Sequence, residues 1–270
     1  MMDFLGLQGK NILILGVANR RSIAWHTATI LKEAGANLLY LFKSRELLEK
    51  NRPLIGEGAT AFVCDVEKDR DIQELDGLVA QKFTRLDGIL HSIAYANYSE
   101  GIKPFHEVRK ADFLQAMDIS CFSLMNVCNA LKTRLAPDAA IVTMSISSTK
   151  MAAESYGYMG PVKAALDSSV VFLAKSLAAT VSPRIRVNAV GASPLKTSAS
   201  AGIPGYVDAY LYAEKATLRH QALETDEAAN VVAFLLSQRA SGINAQTIVV
   251  DAGMACNYFD KNIIHPDSQA

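Results

Sequence analysis

Asn11-Ile-Leu-Ile-Leu-Gly16, Val17-Ala-Asn-Arg-Arg21, Ser22-Ile-Ala-Trp-His-Thr-Ala-Thr-Ile-Leu-Lys-Glu-Ala34 and Leu38-Leu-Tyr-Leu-Phe42 form the stretch that decides the fold. The first piece is a short apolar run closed by glycine, the pattern of a buried parallel strand. The third piece has helical periodicity, with Ser22 as its N-cap and Gly35 as its stop. The last is a second apolar strand. Strand, glycine turn, helix and strand make a βαβ unit. Its helix aims N-terminal amides at one point, which suits a pyrophosphate. The strict GxGxxG fingerprint is absent, because Gly16 is followed by Val17-Ala18, so a plain βα turn remains the alternative.

Five more apolar runs follow, at 61–66, 88–94, 139–145, 185–191 and 247–253, separated by helical segments. The spacing predicts a Pro137-Asp138 turn before the fifth strand and one helix running from Tyr156 through Lys163 to about Ala179. Seven strands alternating with helices predict an α/β fold: a Rossmann-type, doubly wound parallel sheet with helices on both faces. Small residues at Ser198–Gly205 suit a small helical substrate lid, placed at about 192–222. No Pro/Gly/Ser-rich linker or repeat interrupts the chain, so residues 1–270 read as a single domain.

Composition narrows the function. Half of the 270 residues are apolar, and 27 Lys plus Arg balance 27 Asp plus Glu. A formal net charge of zero argues against nucleic acid or an anionic membrane as the main partner. The four cysteines have no CxxC spacing, so neither a metal site nor a disulfide framework is indicated. The N-terminus lacks a basic region followed by an apolar run, and no apolar run reaches the ~20 residues of a membrane span. The chain reads as cytoplasmic.

Two places point to chemistry. After the second strand come Lys43 and Arg45, where a Rossmann-type site meets the adenosine ribose. Basic residues there lean toward NADP(H), against a plain solvated helix start. Ser155-Tyr-Gly-Tyr-Met-Gly-Pro-Val-Lys163 then sets a phenol and an ammonium seven residues apart. On one helix, two turns would place both on nearly the same face. A nearby cation would lower the Tyr156 pKa and make it a better proton donor. His91, inside an apolar strand, reads as a core histidine.

These motifs stand in register with others: Gly16-Val-Ala-Asn-Arg-Arg-Ser-Ile-Ala-Trp25, Cys64-Asp-Val66, His91-Ser-Ile93, Arg186-Val-Asn-Ala189 and Pro194-Leu-Lys-Thr197. Together they resemble the bacterial enoyl-acyl-carrier-protein reductases of the FabI type, a divergent branch of the short-chain dehydrogenase/reductase superfamily. The likeness runs from about residue 5 to residue 256. The general superfamily pattern has tyrosine four residues before lysine, and that position here is Met159. Tyr156, seven before Lys163, has the enoyl-reductase spacing.

The resemblance implies reduction of a trans-2-enoyl thioester, on acyl carrier protein or coenzyme A, by hydride from NADP(H) or NAD(H). Tyr156 would hydrogen-bond the thioester carbonyl, and Lys163 would hold the nicotinamide ribose. Gly16, Ser22 and Ile23 would line the pyrophosphate. Lys43 would face the adenosine ribose, Asp65 and Val66 the adenine, and Ile93 and Ala94 the middle of the cofactor. Leu195 and Thr197 would close over the nicotinamide. Ala96 and the Ser198–Tyr206 segment would contact the acyl chain. A homotetramer is implied, with no metal, no nucleic acid and no membrane partner.

The departures are specific. The family's second tyrosine, ten residues before the first, is Ile146 here, flanked by Ser145, Ser147 and Ser148. Isoleucine cannot donate a hydrogen bond. Either the second tyrosine is dispensable, a serine replaces it, or the substrate differs. Ala94 and Ser193 stand where the family commonly has glycine. The rival readings are a paralogue acting on another enoyl-coenzyme A or a carbonyl, and a nucleotide-binding homologue without turnover.

Overall fold

The computed structural model describes residues 4–153, 156–197, 200 and 202–264. Seven strands form one sheet: β1 Asn11–Leu15, β2 Asn37–Phe42, β3 Thr60–Val63, β4 Leu86–His91, β5 Leu135–Ile146, β6 Arg186–Ala192 and β7 Thr247–Val250. All pair in parallel in the order β3-β2-β1-β4-β5-β6-β7. The chain runs outward from β1 to β3, then returns to build the other half from β4. The crevice between the carboxyl ends of β1 and β4 is therefore the topological switch point, where such sheets bind ligands.

Alternate residues of each strand feed the two faces. Leu13, Leu15, Leu39, Leu41, Ile89, Ile141, Val187 and Ala189 point to one side. They meet α3 (Asp69–Ala80), α4 (Lys110–Met117), α5 (Ser123–Leu131) and α6 (Met159–Thr180), through residues such as Leu75, Ala116, Leu124 and Val162. Ile12, Ile14, Tyr40, Phe42, Leu90, Val142 and Val190 point to the other. There they meet α1 (Ile23–Glu33), α2 (Arg45–Ile55) and α8 (Thr225–Leu236), through Ala28, Leu31, Leu48 and Val232. Burial on both faces is why the strands read as continuous apolar runs rather than alternating ones.

Three expectations need correction. Pro137-Asp138 does not form a turn ahead of β5. The strand begins at Leu135 and carries the pair through a register shift against β4, between Leu86 and Gly88. The third and fourth strands end at Val63 and His91, earlier than expected, which leaves Asp65, Val66 and Ile93–Ala96 on the connecting segments. Tyr156 is not on the α6 helix. It lies in a turn, Gly157 follows with φ +51°, and the helix begins at Met159. Pro161 is the third helical residue, where its missing N–H is one of the donors a helix leaves unpaired anyway. A helix started at Tyr156 would have needed that N–H.

The lid contains α7 (Tyr206–Ala216), followed by a crossing to α8. Ser155, Ser198 and two further positions of the small-residue stretch, 199 and 201, lie outside the described residues. After β7, Asn257 donates from its side-chain amide to the Ala216 carbonyl at 2.9 Å, which ties this segment to the end of α7, and α9 (Lys261–Ile264) follows. The Arg186-Val-Asn188 motif is structural. The buried Arg186 guanidinium donates to the Leu235, Ser237 and Ala240 carbonyls, all at 2.9 Å, around the end of α8. Asn188 holds the approach to β7 through Ile243 and Gln246.

Candidate active site

The switch-point crevice starts at Gly16. Its φ is +101°, and a Cβ built there would stand 2.0 Å from the Ser92 carbonyl oxygen. Only glycine lets the ends of β1 and β4 approach so closely. The next turn is held by Asn19, whose side chain accepts from the Arg21 amide at 2.8 Å and whose carbonyl accepts from the Ser22 hydroxyl at 2.7 Å. Ser22 is thus spent on the turn and makes no side-chain cap on α1. In the first turn of α1 the Trp25 and His26 amides donate to the Ser22 carbonyl at 3.0 and 3.2 Å, so the Ile23 and Ala24 amides are the ones that face outward, and the helix dipole there favours an anion. An uncapped helix start beside a glycine cradle fits a dinucleotide pyrophosphate. Ile23, one residue on, packs in a cluster with Ala192, Leu195, Leu223 and Val250, so the expected pyrophosphate and nicotinamide ends meet.

At the ends of β2 and β3 the charges are interlocked. Lys43 Nζ lies 4.0 Å from Asp65 Oδ1 and 3.6 Å from Glu67 Oε2, with a side chain 57% exposed. The Lys43 ammonium also sits 5.7 Å from the centre of the Tyr95 ring. Asp65 is buried, receives Lys68 as a second cation and holds the Glu67 amide, while Val66 beside it enters the apolar core. Lys43 and Asp65 are therefore brought together, while Val66 turns into the core. Arg45 does not join them: it pairs with Glu49 along α2 and is exposed.

On the α6 face, Ile93, Ala96, Tyr98 and Tyr156 pack against one core cluster, whereas Ala94 is exposed. Burial pushes the Tyr156 phenol well above its ordinary range, and Tyr98 and Tyr206 push it the same way. That is opposite to the cation-lowered phenol the helical spacing implied. Lys163 is deeply buried and donates to the Met144 carbonyl at 2.7 Å. Burial brings its pKa down from 10.5 to about 8, against the opposing pull of Asp167 and Cys121. His91 is a core histidine. Its ring nitrogens meet Thr143 Oγ1 at 3.1 Å and Ser123 Oγ at 2.8 Å, and burial, with the Lys163 charge, holds its pKa near 3.

The lid begins in a compact knot. The Leu195 carbonyl accepts from Ser200 Oγ, from Tyr206 Oη (both 2.7 Å) and from the Thr197 amide at 2.8 Å. Leu195 and Thr197 are thereby fixed to the start of α7, over the same cluster as Ile23. Ser193 is buried and its amide donates to the Val250 carbonyl at 3.2 Å.

The family model described as enoyl-(acyl carrier protein) reductase matches residues 16–255. The chain belongs to the enoyl-(acyl carrier protein) reductase family. It is similar to the enoyl-[acyl-carrier-protein] reductase [NADH] FabI of Nostoc sp., 38% identical over 254 residues, covering 92% of this chain and 97% of that relative. It is also similar to the [NADPH] FabI of Staphylococcus aureus, 32% identical over 253 residues, covering 92% and 98%. The solved Aquifex aeolicus enoyl-[acyl-carrier-protein] reductase (NADH) superposes with a TM-score of 0.88 at 32% identity, over 94% of this chain and 99% of that one. The Bacillus cereus enoyl-acyl carrier protein reductase, solved with NADP+ and indole naphthyridinone, gives 0.86 at 31% identity, over 92% and 97%.

Ser145, the residue before the last of β5, is buried, and its hydroxyl has no partner among the described residues. Three further hydroxyl groups of this reductase fold have no local signal in the sequence. Ser120, Tyr98 and Tyr158 hold the segment after β4. Ser120 sits in a π turn, Asp118–Phe122, between α4 and α5, the kind of break that often marks a functional site.

Proposed function

We propose that Tyr156 and Lys163 carry the reaction of this reductase, the saturation of the trans-2 double bond of an enoyl thioester on acyl carrier protein in fatty acid synthesis. As a member of the family, the chain is an NAD(P)H-dependent enoyl-acyl-carrier-protein reductase, in line with relatives named for NADH and for NADPH. The cofactor, when bound, supplies hydride to the β-carbon, and the electron pair of the double bond moves toward the thioester oxygen. Gly16, the open start of α1, Ile23 and the Lys43–Asp65–Val66 group fit such a cofactor along the switch-point crevice. Ile93 and Leu195 would line its inner part, and Ala94 its exposed edge.

Tyr156 would donate to the developing oxyanion, and its proton is the source for protonating the enolate. Its raised pKa keeps the phenol neutral, so it donates a hydrogen bond to the oxyanion while giving up the proton less readily than a cation-lowered phenol would. Lys163 at a pKa of about 8 remains largely charged at neutral pH, which suits binding ribose hydroxyls and lowering the energy of negative charge nearby. Ile146 removes one family hydroxyl. Of the serines flanking it, Ser145 is the buried one with an unpartnered hydroxyl, which supports Ser145 as the replacement polar contact.

The observation that carries this reading is that Tyr156, Ile93, Ala96 and Tyr98 all pack against the core cluster on the α6 side of the sheet, the side of Lys163, with Tyr98 Oη donating to the Tyr156 carbonyl at 3.2 Å. Exposed Val171 and Phe172 on α6, Phe122, and Val249 on the edge strand β7 support a homotetramer. Among the described residues no helix is long and apolar enough to cross a membrane, in keeping with a cytoplasmic, single-domain enzyme. The deciding experiment follows loss of nicotinamide absorbance with crotonyl thioesters of acyl carrier protein and of coenzyme A, each with NADH and NADPH. Turnover with the carrier-protein thioester is expected; tight cofactor binding with no turnover of either would overturn the reading.

A further inference from the structure

Residues 95–98 form a short extended segment beyond β4, and three side-chain hydroxyls clamp it. Ser120 Oγ accepts from the Tyr95 amide at 2.9 Å and donates to the Tyr95 carbonyl at 3.1 Å. Tyr158 Oη does the same two residues on, accepting from the Asn97 amide at 2.8 Å and donating to the Asn97 carbonyl at 3.0 Å. Residues i and i+2 of an extended segment present their N–H and C=O groups to one side. Two hydroxyls here take the place of a neighbouring strand. Ala96 lies between them and packs with Tyr156 against the same cluster. The third hydroxyl closes the circuit: Tyr98 Oη donates to the Tyr156 carbonyl at 3.2 Å, and the Tyr98 and Tyr158 rings lie 5.9 Å apart.

The turn that carries Tyr156 and the wall that carries Ala96 are thus fastened in both directions. Tyr158 reaches from the turn to the wall, and Tyr98 reaches from the wall to the turn. Gly157, with φ +51°, lets two successive odd-spaced tyrosines serve different ends, Tyr156 toward the cluster and Tyr158 toward Asn97. Beside the strap lies a shallow groove open to solvent, lined in part by Asn97, Gly101, Arg109, Asp112 and Tyr158.

We infer that Ser120, Tyr158 and Tyr98 form a hydroxyl strap that presets the acyl-site wall against Tyr156, with Tyr158 as the principal positioning residue. The inference rests on the function proposed above. Preorganisation of this kind lowers the entropy lost when an acyl chain seats, and it keeps the phenol at the thioester oxygen. Tyr158 does not touch the reacting atoms; it acts through Asn97.

The test uses the full chain with Tyr158→Phe, which deletes both hydrogen bonds and keeps the ring, and Ser120→Ala as the second variant. The kcat and KM for a crotonyl thioester, the Kd for NADPH, and amide hydrogen exchange at Asn97 are measured together. In Tyr158→Phe, KM for the thioester rises about tenfold, NADPH affinity stays within about twofold, and the Asn97 amide exchanges at least about tenfold faster while β1 amides keep their protection. Ser120→Ala gives the same pattern with the Tyr95 amide. An unchanged KM with faster Asn97 exchange overturns the role of the wall in acyl binding. Unchanged exchange at Asn97 overturns the strap itself. Equal losses in cofactor affinity and in β1 protection reduce Tyr158 to a general packing residue, which also overturns it. Should wild-type chain turn over no enoyl thioester, the proposed function fails on that result alone, and the exchange measurement still decides whether the strap exists.

Discussion

Lys163 donates from its buried ammonium to the Met144 carbonyl at 2.7 Å, so α6 is pinned to the strand that ends at Ile146. The same burial lowers the Lys163 pKa to about 8 from 10.5. Between these values the unfolded chain holds more protons than the folded one, so stability from this group rises with pH across that window and is lowest below about pH 8. Function moves the other way. NADPH affinity, measured by fluorescence titration, is expected to fall as pH rises through about 8, because the ribose-binding cation is being lost. Lys163→Arg keeps its charge and should flatten that profile; a wild-type profile already flat from pH 7 to 9 would remove Lys163 from cofactor binding.

Tyr156→Phe leaves the ring in its cluster and deletes the phenol. Turnover of a crotonyl thioester should drop by about 100-fold, the usual scale of one general acid, with NADPH affinity within about twofold. A rate close to wild type would show that another donor serves the oxyanion.

Ser145→Ala separates stability from activity. Removing a buried hydroxyl that has no protein partner should leave the melting temperature unchanged or raise it, since its desolvation cost disappears. If Ser145 supplies the contact that Ile146 cannot, turnover should fall about tenfold in the same variant. A stabler protein with full activity would leave Ile146 uncompensated.

Gly16→Ala tests the cradle. The new Cβ would stand 2.0 Å from the Ser92 carbonyl oxygen, and φ +101° is unfavourable for any residue with a side chain. Strain of ~1–3 kcal/mol should lower the melting temperature by several degrees. NADPH and NADH affinities should both fall at least about tenfold, as the β1–β4 crevice widens. Equal cofactor binding in the variant would place the pyrophosphate elsewhere.

Lys43→Asp puts a carboxylate beside Asp65 and Glu67, where Lys43 now balances them. The cluster of like charges should repel a ribose 2′-phosphate, so the ratio of NADPH to NADH kcat/KM falls by about tenfold or more. No change in that ratio would mean that Lys43 serves only its two acidic neighbours.

The sequence by itself determined the parallel α/β sheet, because seven apolar strands separated by amphipathic helices have only that economical packing. It also marked Gly16 at the end of the first strand, and it put Lys43 and Asp65 just past the ends of neighbouring strands, where the sheet brings them together. His91 was legible as core because an apolar strand surrounds it. The tertiary structure alone decided how Tyr156 is presented. Spacing suggested a helix face shared with Lys163, yet Gly157 turns left-handed and Pro161 delays the helix to Met159, so the phenol stands in a turn. It also decided the sense of the Tyr156 pKa, since burial among aromatic groups comes from three separated segments and leaves no local trace. Ser120, Tyr98 and Tyr158 were hidden for the same reason: their partners lie 25 to 61 residues away, and hydrogen bonds across such separations exist only once the sheet has brought β4, α5 and α6 together.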